Sequence, residues 1–316
     1  FMGILIALIP AITWGSTGLV NTKMGGSAAQ QTLGMTFGAL IFGLAVMLFY
    51  VIPNHISLDY RIWIVGLFSG IFWAVGTAGQ FVAYKDMGVS SAFPLSTAGQ
   101  IVSNAIMAAA VLGEWTTIQM WIFGAIAITL VTTGALLTSA RSKASKSTST
   151  QRPAAYSHGL IALLLSTIGY MLYFVFPNLM FKVGFISKAV HEANNGASYM
   201  TAIIGPQAIG QVIGAFIIVI FVFHESEKMF QKATWRNILT GLNWGVGNLF
   251  MFISTANPAI GQATATTLSQ MGVIVGTFGG IYLLHEKKTR DQMVKIVIGS
   301  VLVVIGGVLI SNLSKL

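Results

Sequence analysis

At 316 residues the chain could hold two ordinary soluble domains, yet only 8% of it is charged, 55% is hydrophobic and the mean hydropathy is +0.79. So few charges cannot cover a water-soluble surface, and the composition indicates a polytopic membrane protein. The excess of 17 Lys and Arg over 8 Asp and Glu would suggest nucleic acid in a soluble protein, but here it sorts by membrane face; the lack of cysteine excludes disulfides, thiol chemistry and cysteine-ligated metals.

A helix needs about 20 apolar residues to cross the hydrocarbon, and a charge at its middle costs about 2.5–3.5 kcal/mol, so charge-free gaps count spans. In chain order they run 1 to 22, 24 to 54, 62 to 84, 87 to 113, 115 to 140, 159 to 181, 193 to 223, 237 to 284 and 296 to 314. The gap of 48 residues from 237 has room for two spans, with a turn expected at Asn257-Pro258, which brings the count to ten. The first span precedes its first charge, Lys23, the reverse of a cleaved signal, and is expected to be a retained helix. A basic Ser/Thr-rich linker over 141–156 separates a five-span half at 1–140 from another at 157–316. Thirteen of the 17 basic residues fall in the linker and in the loops after the odd spans, which places those loops in the cytoplasm and both termini outside.

The halves share signatures in the same order. Gly-x-x-x-Gly-Ala occurs at Gly34, Gly38, Ala39 and at Gly210, Gly214, Ala215; Gly-x-x-Trp-x-Val-Gly occurs at Gly70, Trp73, Val75, Gly76 and at Gly241, Trp244, Val246, Gly247. Leu-Ser-x-x-Gly-x-Ile-Val occurs from Leu95 and from Leu268, and each half has a Glu at the exit of its fourth span, Glu114 or Glu286, followed 20 residues on by Gly134 or Gly306. This register indicates a duplication. Because each copy has an odd number of spans, the second is expected to be inverted, an architecture that places a site near the midplane and opens it to either face in turn. The glycine motifs also have a plainer role as close helix contacts.

The span interiors hold almost no ionisable groups. Asp86, Glu114, Glu192, Glu286 and Asp291 lie at expected span ends or in loops, which favours a neutral polar cargo and leaves Glu114 and Glu286 as the proton-coupling candidates, or else as solvated interfacial residues. Amides are plentiful instead: Asn21, Gln31, Gln80, Gln100, Asn104, Gln207, Asn243, Asn248, Gln262 and Gln270. Each either bonds helix to helix or contacts a polyol, since an amide matches a hydroxyl as donor and acceptor together. Trp14, Trp73 and Trp244 lie inside their spans, where they either pack the core or stack on the C–H face of a sugar. Pro94, Pro177 and Pro206 kink helices or free carbonyls toward a cavity. No P-loop, dinucleotide fingerprint or His-Glu-x-x-His motif occurs, so neither an enzyme nor a cofactor is expected.

The segments ALIPAITWGSTGLVNTKMGG, QQTLGMTFGALIFG, FWAVGTAGQFVAYKDMGVSSAFPLSTAGQ, GEW, STIGY, GPQAIGQ, GLNWGVGNLFMFIS and TLSQMGVIVGTFGGIYLLHEKKT resemble the bacterial glucose/ribose uptake porters of the drug/metabolite transporter superfamily, from Ala7 to about Thr289. The resemblance implies an all-α fold of ten transmembrane helices in two inverted five-helix repeats, a multi-pass position in the bacterial plasma membrane, and monosaccharide uptake with protons as the usual partner. Glucose leads and ribose follows. It carries over to Trp14, Gln31, Gln80, Ser96, Gln100, Gln207, Asn248, Ser269 and Gln270 as substrate-facing positions; the reading of the residues adds Asn21, Trp73 and Trp244. With no carboxylate in the core, facilitated diffusion stays open. Export of amino acids or other small metabolites, a sugar sensor and an enzyme's anchoring subunit are the competing readings. No nucleic-acid partner is expected.

Overall fold

A computed structural model describes residues 2–113, 115–139, 153–256, 269 and 271–313, and among these every regular element is helical. The principal helices are α1 (Met2–Met24), α2 (Ala28–Val46), α3 (Tyr60–Met87), α4 (Val89–Met107), α5 (Ile118–Ser139), α6 (Pro153–Lys182), α7 (Ala197–Phe221), α8 (Ile238–Ala256), α9 (Gly272–Tyr282) and α10 (Arg290–Ser311). Single π-helical turns, Met47–Val51 and Ala108–Leu112, extend α2 and α4. Among the described residues, seven segments are long and apolar enough to cross a membrane: Ala28–Val51, Tyr60–Met87, Val89–Leu112, Ile118–Thr138, Ala154–Lys182, Ala197–Phe221 and Arg290–Ile310. The Asn257-Pro258 turn and the 141–152 part of the linker lie outside the described residues.

Charge-free gaps locate the helices but misplace some ends. The last gap opens at 296, whereas α10 starts at Arg290 and carries Asp291 and Lys295 in its first turns, tied to each other at 2.8 Å. Thr289 and Gln292 form a capping box there, so the backbone is already satisfied before the charges end. In the same way Asp59 caps α3 by accepting from the Arg61 and Ile62 amides. Gly88 alone joins α3 to α4, at φ +81°, a left-handed backbone that glycine adopts without steric cost.

Outward faces are apolar, as lipid contact requires: Ile126, Leu164, Ile217 and Ile298 are all exposed. Hydrophobicity cannot hold such helices together in lipid, and close backbone approach does so instead. A Cβ added at Gly70 would meet the Gln207 carbonyl oxygen at 2.1 Å, and one at Gly241 the Met35 carbonyl oxygen at 2.0 Å. α3 thus packs on α6 and α7, while α8 packs on α1 and α2. α5 and α10 cross antiparallel with reciprocal contacts. A Cβ on Gly134 would reach the Gly299 carbonyl oxygen and the Val303 nitrogen, and one on Gly306 would reach the Ala127 carbonyl oxygen and the Val131 nitrogen. α2 pairs with α7, and α4 with α9, in the same opposed sense: Gly43 meets Ala208 while Gly205 meets Met47, and Gly276 meets Phe93 while Gly280 meets Ser90.

The connection from α6 to α7 folds back on itself. His191, in the short helix Lys188–Glu192, stacks on Phe181 with ring centroids 3.9 Å apart, and its Nε2 lies 3.0 Å from Asn178 Oδ1. Its Nδ1 is buried without a partner, and burial lowers its pKa below the usual 6.5, opposed in part by Glu192. A depressed base binds its proton more readily in the unfolded chain, so its contribution is complete above the unfolded value and is lost as pH falls below it. The melting temperature of the detergent-solubilised protein is therefore expected to drop between pH 7.5 and 5.5, and His191→Gln to flatten that drop. An unchanged slope in the variant would refute the assignment.

Candidate functional site

The site is built mainly on one face of α3. Residues spaced four, three and four apart share a face of a helix, and Trp73, Thr77, Gln80 and Tyr84 follow that spacing. α4 carries a second polar stripe, Ser96, Gln100 and Asn104. The stripes meet where Gln80 Nε2 donates to Ser96 Oγ at 2.7 Å, and Gln100 Nε2 donates to the same oxygen at 3.2 Å. From α6, the Tyr170 hydroxyl donates to Gln80 Oε1 at 3.1 Å and lies 3.0 Å from Thr77 Oγ1. Because the phenol has one proton and gives it to Gln80, Thr77 must donate to Tyr170. In that chain the Gln80 carboxamide has its nitrogen toward Ser96.

The donor and acceptor inventory shows what is left for a ligand. A carboxamide has two N–H groups and two carbonyl lone pairs; this network uses one of each on Gln80, and one N–H on Gln100. Both lone pairs of Ser96 are engaged, which leaves its proton. The remainder is a compact set of donors and acceptors without charge, and no charged side chain enters the network's hydrogen bonds.

An aromatic wall adjoins it. Trp73, 1% exposed, lies on α3 one turn before Thr77, and its ring is 5.0 Å from that of Trp244 on α8, inclined at 57°. These are the tryptophans of the repeated Gly-x-x-Trp signature, in contact with each other. Half-buried Trp14 on α1 donates its Nε1 to the Trp244 carbonyl at 3.2 Å, against Gly247. Asn248 is buried one turn beyond Trp244, and Ser269 is buried ahead of α9.

Other sequence candidates lie apart from this set. Asn21 Nδ2 donates to Gln31 Oε1 at 3.3 Å, and Gln31 Nε2 donates to the Asn21 backbone carbonyl at 3.0 Å, so the two residues join α1 to α2. Asn243 is engaged by the Thr13 carbonyl and Ser16. Gln207 donates to Ser69 Oγ at 2.7 Å, and Ser69 donates to the Tyr173 carbonyl at 3.0 Å. Pro177 has no N–H for that carbonyl four residues back, so Ser69 takes up the acceptor the proline frees. Gln262, Gln270 and Glu114 lie outside the described residues. Glu286 lies at the start of α4, where it accepts from the Val89 amide at 2.7 Å, the Ser90 amide at 3.2 Å and the Ser90 hydroxyl, a charge suited to a helix N-terminus. Beside it Lys288 Nζ meets Ser91 Oγ at 3.0 Å. The sequence scan of amides, ionisable groups and tryptophans passed over Ser69, Thr77 and Tyr170. Thr77 and Gln80 three residues apart, on the face that carries Trp73, were the available signal.

A family model described as Sugar transport protein matches residues 5–313. The chain belongs to that family. A protein of Lactiplantibacillus plantarum, provisionally named a sugar uptake protein, is 46% identical, with 98% of this chain and 99% of that protein covered. The glucose uptake protein GlcU of Bacillus subtilis is 40% identical, with 97% of each covered. A crystal structure of a protein 14% identical aligns over 99% of this chain and 96% of its own with a TM-score of 0.56, a likeness of fold alone. With its apolar helices, the chain is a multi-pass membrane protein of a sugar transport family.

Proposed function

We propose that the chain is a secondary transporter that takes up a monosaccharide across the plasma membrane by alternating access. The observation that carries this reading is the uncharged network of Gln80, Ser96, Gln100 and Tyr170 beside the Trp73–Trp244 pair. A pyranose offers hydroxyls that both donate and accept along its edge, and apolar C–H faces that lie flat on indole rings. A carboxylate or ammonium guest would need a counter-charge, which this network lacks. Glucose is the first candidate, following the name of the Bacillus subtilis relative, and ribose the second, following the resemblance of the sequence to the glucose/ribose uptake porters. In this reading Trp14, Trp73, Gln80, Ser96, Gln100, Trp244, Asn248 and Ser269 face the guest, and Asn21, Gln31 and Gln207 hold the helices around it.

Alternating access requires two halves that move on each other, and we assign them to 1–140 and 157–316 with the second inverted, ten spans in all. Supporting this, the contacts of Gly134 with Gly299 and Val303 are matched by those of Gly306 with Ala127 and Val131 across the α5–α10 crossing, as a two-fold axis between antiparallel copies would make them. Proton coupling enters through Glu286, because a protonated carboxyl grips the α4 amides less firmly than a carboxylate.

The test is uptake of labelled glucose and ribose into proteoliposomes with and without an imposed pH gradient. Sugar entry is expected, concentrative only when the gradient is present. Equilibration independent of the gradient would remove proton coupling and keep the carrier. Amino-acid counterflow with no sugar flux would refute the substrate.

A further inference from the structure

We infer that the hydroxyl of Tyr84 is a sugar-binding group of the state open toward the basic face, and that in this structure its ring forms the closed inner gate. The inference rests on the alternating-access reading above.

Tyr84 is the next residue beyond Gln80 on the polar face of α3 and lies one position before Lys85, at the end of the helix nearest the basic loops. Its side chain is 5% exposed, and its hydroxyl is buried with no hydrogen-bond partner. The other polar groups of this face each have a partner: Thr77 and Gln80 both bond to Tyr170, and elsewhere Tyr199 gives its hydroxyl to the Pro177 carbonyl. A phenylalanine would fill the same volume without stranding a polar atom, so in this state the hydroxyl is a liability. A group that is a liability in one state of a carrier is explained by a partner in another.

The surroundings indicate which state. The ring packs on α1, where a Cβ at Gly18 would lie 2.8 Å from Tyr84 Cε2, and it stands 6.4 Å from the Phe93 ring of α4. Phe93 in turn packs on Gly276 of α9, so helices of both halves converge on this plug. Beyond it the mouth is tied shut. Glu286 holds the first amides of α4, Lys288 reaches Ser91, and His158 meets Asp86 at 2.7 Å. Separating α4 from α9 would break the first two ties and open the plug, and the Tyr84 hydroxyl would then face the passage one turn below Gln80. A sugar leaving Gln80 toward the basic face meets this phenol next.

Tyr84→Phe therefore acts in one direction on two states. It relieves the unpaired hydroxyl in the closed gate and removes a sugar contact from the open one. Initial rates of labelled glucose uptake into proteoliposomes are expected to show kcat lower by about fivefold, the size of one neutral hydrogen bond. KM is expected to fall in similar proportion as loaded carrier accumulates behind the gate, with a melting temperature no lower than that of the wild type. Unchanged kcat and KM would overturn the inference. A raised KM with kcat intact would overturn it too, since the contact would then belong to the opposite face. If the wild-type protein carries neither glucose nor ribose, the sugar-transport reading itself fails and this inference with it, whereas flux in the wild type with an indifferent variant rejects Tyr84 alone.

Discussion

Gln80→Ala is expected to lower glucose uptake by roughly tenfold to a hundredfold while the protein remains folded. The carboxamide stands at the junction of α3, α4 and α6, and its removal has two consequences. It deletes the N–H and lone pair left over for a guest, and it releases Ser96 and Tyr170 from their shared partner. Both effects fall on binding, because a site built to hydrogen-bond a hydroxyl discriminates most strongly when one of its own polar groups is left unpaired. The measurement is the concentration dependence of uptake in proteoliposomes, with the melting temperature recorded alongside. Uptake within twofold of wild type would remove Gln80 from the site.

Gly241→Val is expected to have the largest effect on folding. Its added Cβ would fall 2.0 Å from a backbone oxygen of α2 and 2.8 Å from the Gly38 Cα, so no side chain can turn aside and the two helices must separate. Overpacking of this kind costs about 1–3 kcal/mol even where side chains can give. Loss of the monodisperse species in detergent is the expected result for Gly241→Val, and for Gly70→Val, whose Cβ would meet the Gln207 carbonyl oxygen at 2.1 Å. Gly272→Ala is the contrast. There the nearest neighbour is the Ala11 carbonyl oxygen at 3.1 Å, and a small drop in melting temperature is expected. Equal behaviour of Gly241→Val and Gly272→Ala would refute the account of helix packing.

Much of the architecture was legible because lipid imposes it. Charges mark where helices leave the hydrocarbon, and glycines mark where backbones touch, so Gly34, Gly38, Gly210 and Gly214 of the Gly-x-x-x-Gly motifs were visible as packing points before any coordinates. Helix ends were less legible, because α10 runs on through Asp291 and Lys295 once Thr289 and Gln292 have capped it. The site was legible only by residue type. Nothing local to the chain distinguishes Gln31, turned onto Asn21, from Gln80, turned onto Ser96 and Tyr170, because the partner that decides lies on another helix. Ser69 was hidden for the same reason: its role depends on a carbonyl freed by Pro177 on a distant helix. Glu286 could be placed at a span end from sequence, but its grip on the first amides of α4 required the fold.

In the proposed alternating-access cycle, the mouth between the start of α4 and the end of α9 opens for a sugar to pass. The chain contains no cysteine, so a pair introduced by Ser91→Cys and Lys288→Cys, whose native side chains meet at 3.0 Å, can be bridged by a short bis-methanethiosulfonate linker without side reactions. Glucose flux in proteoliposomes should stop on bridging and return when dithiothreitol releases the linker. Full flux through the bridged protein would contradict an opening at this mouth.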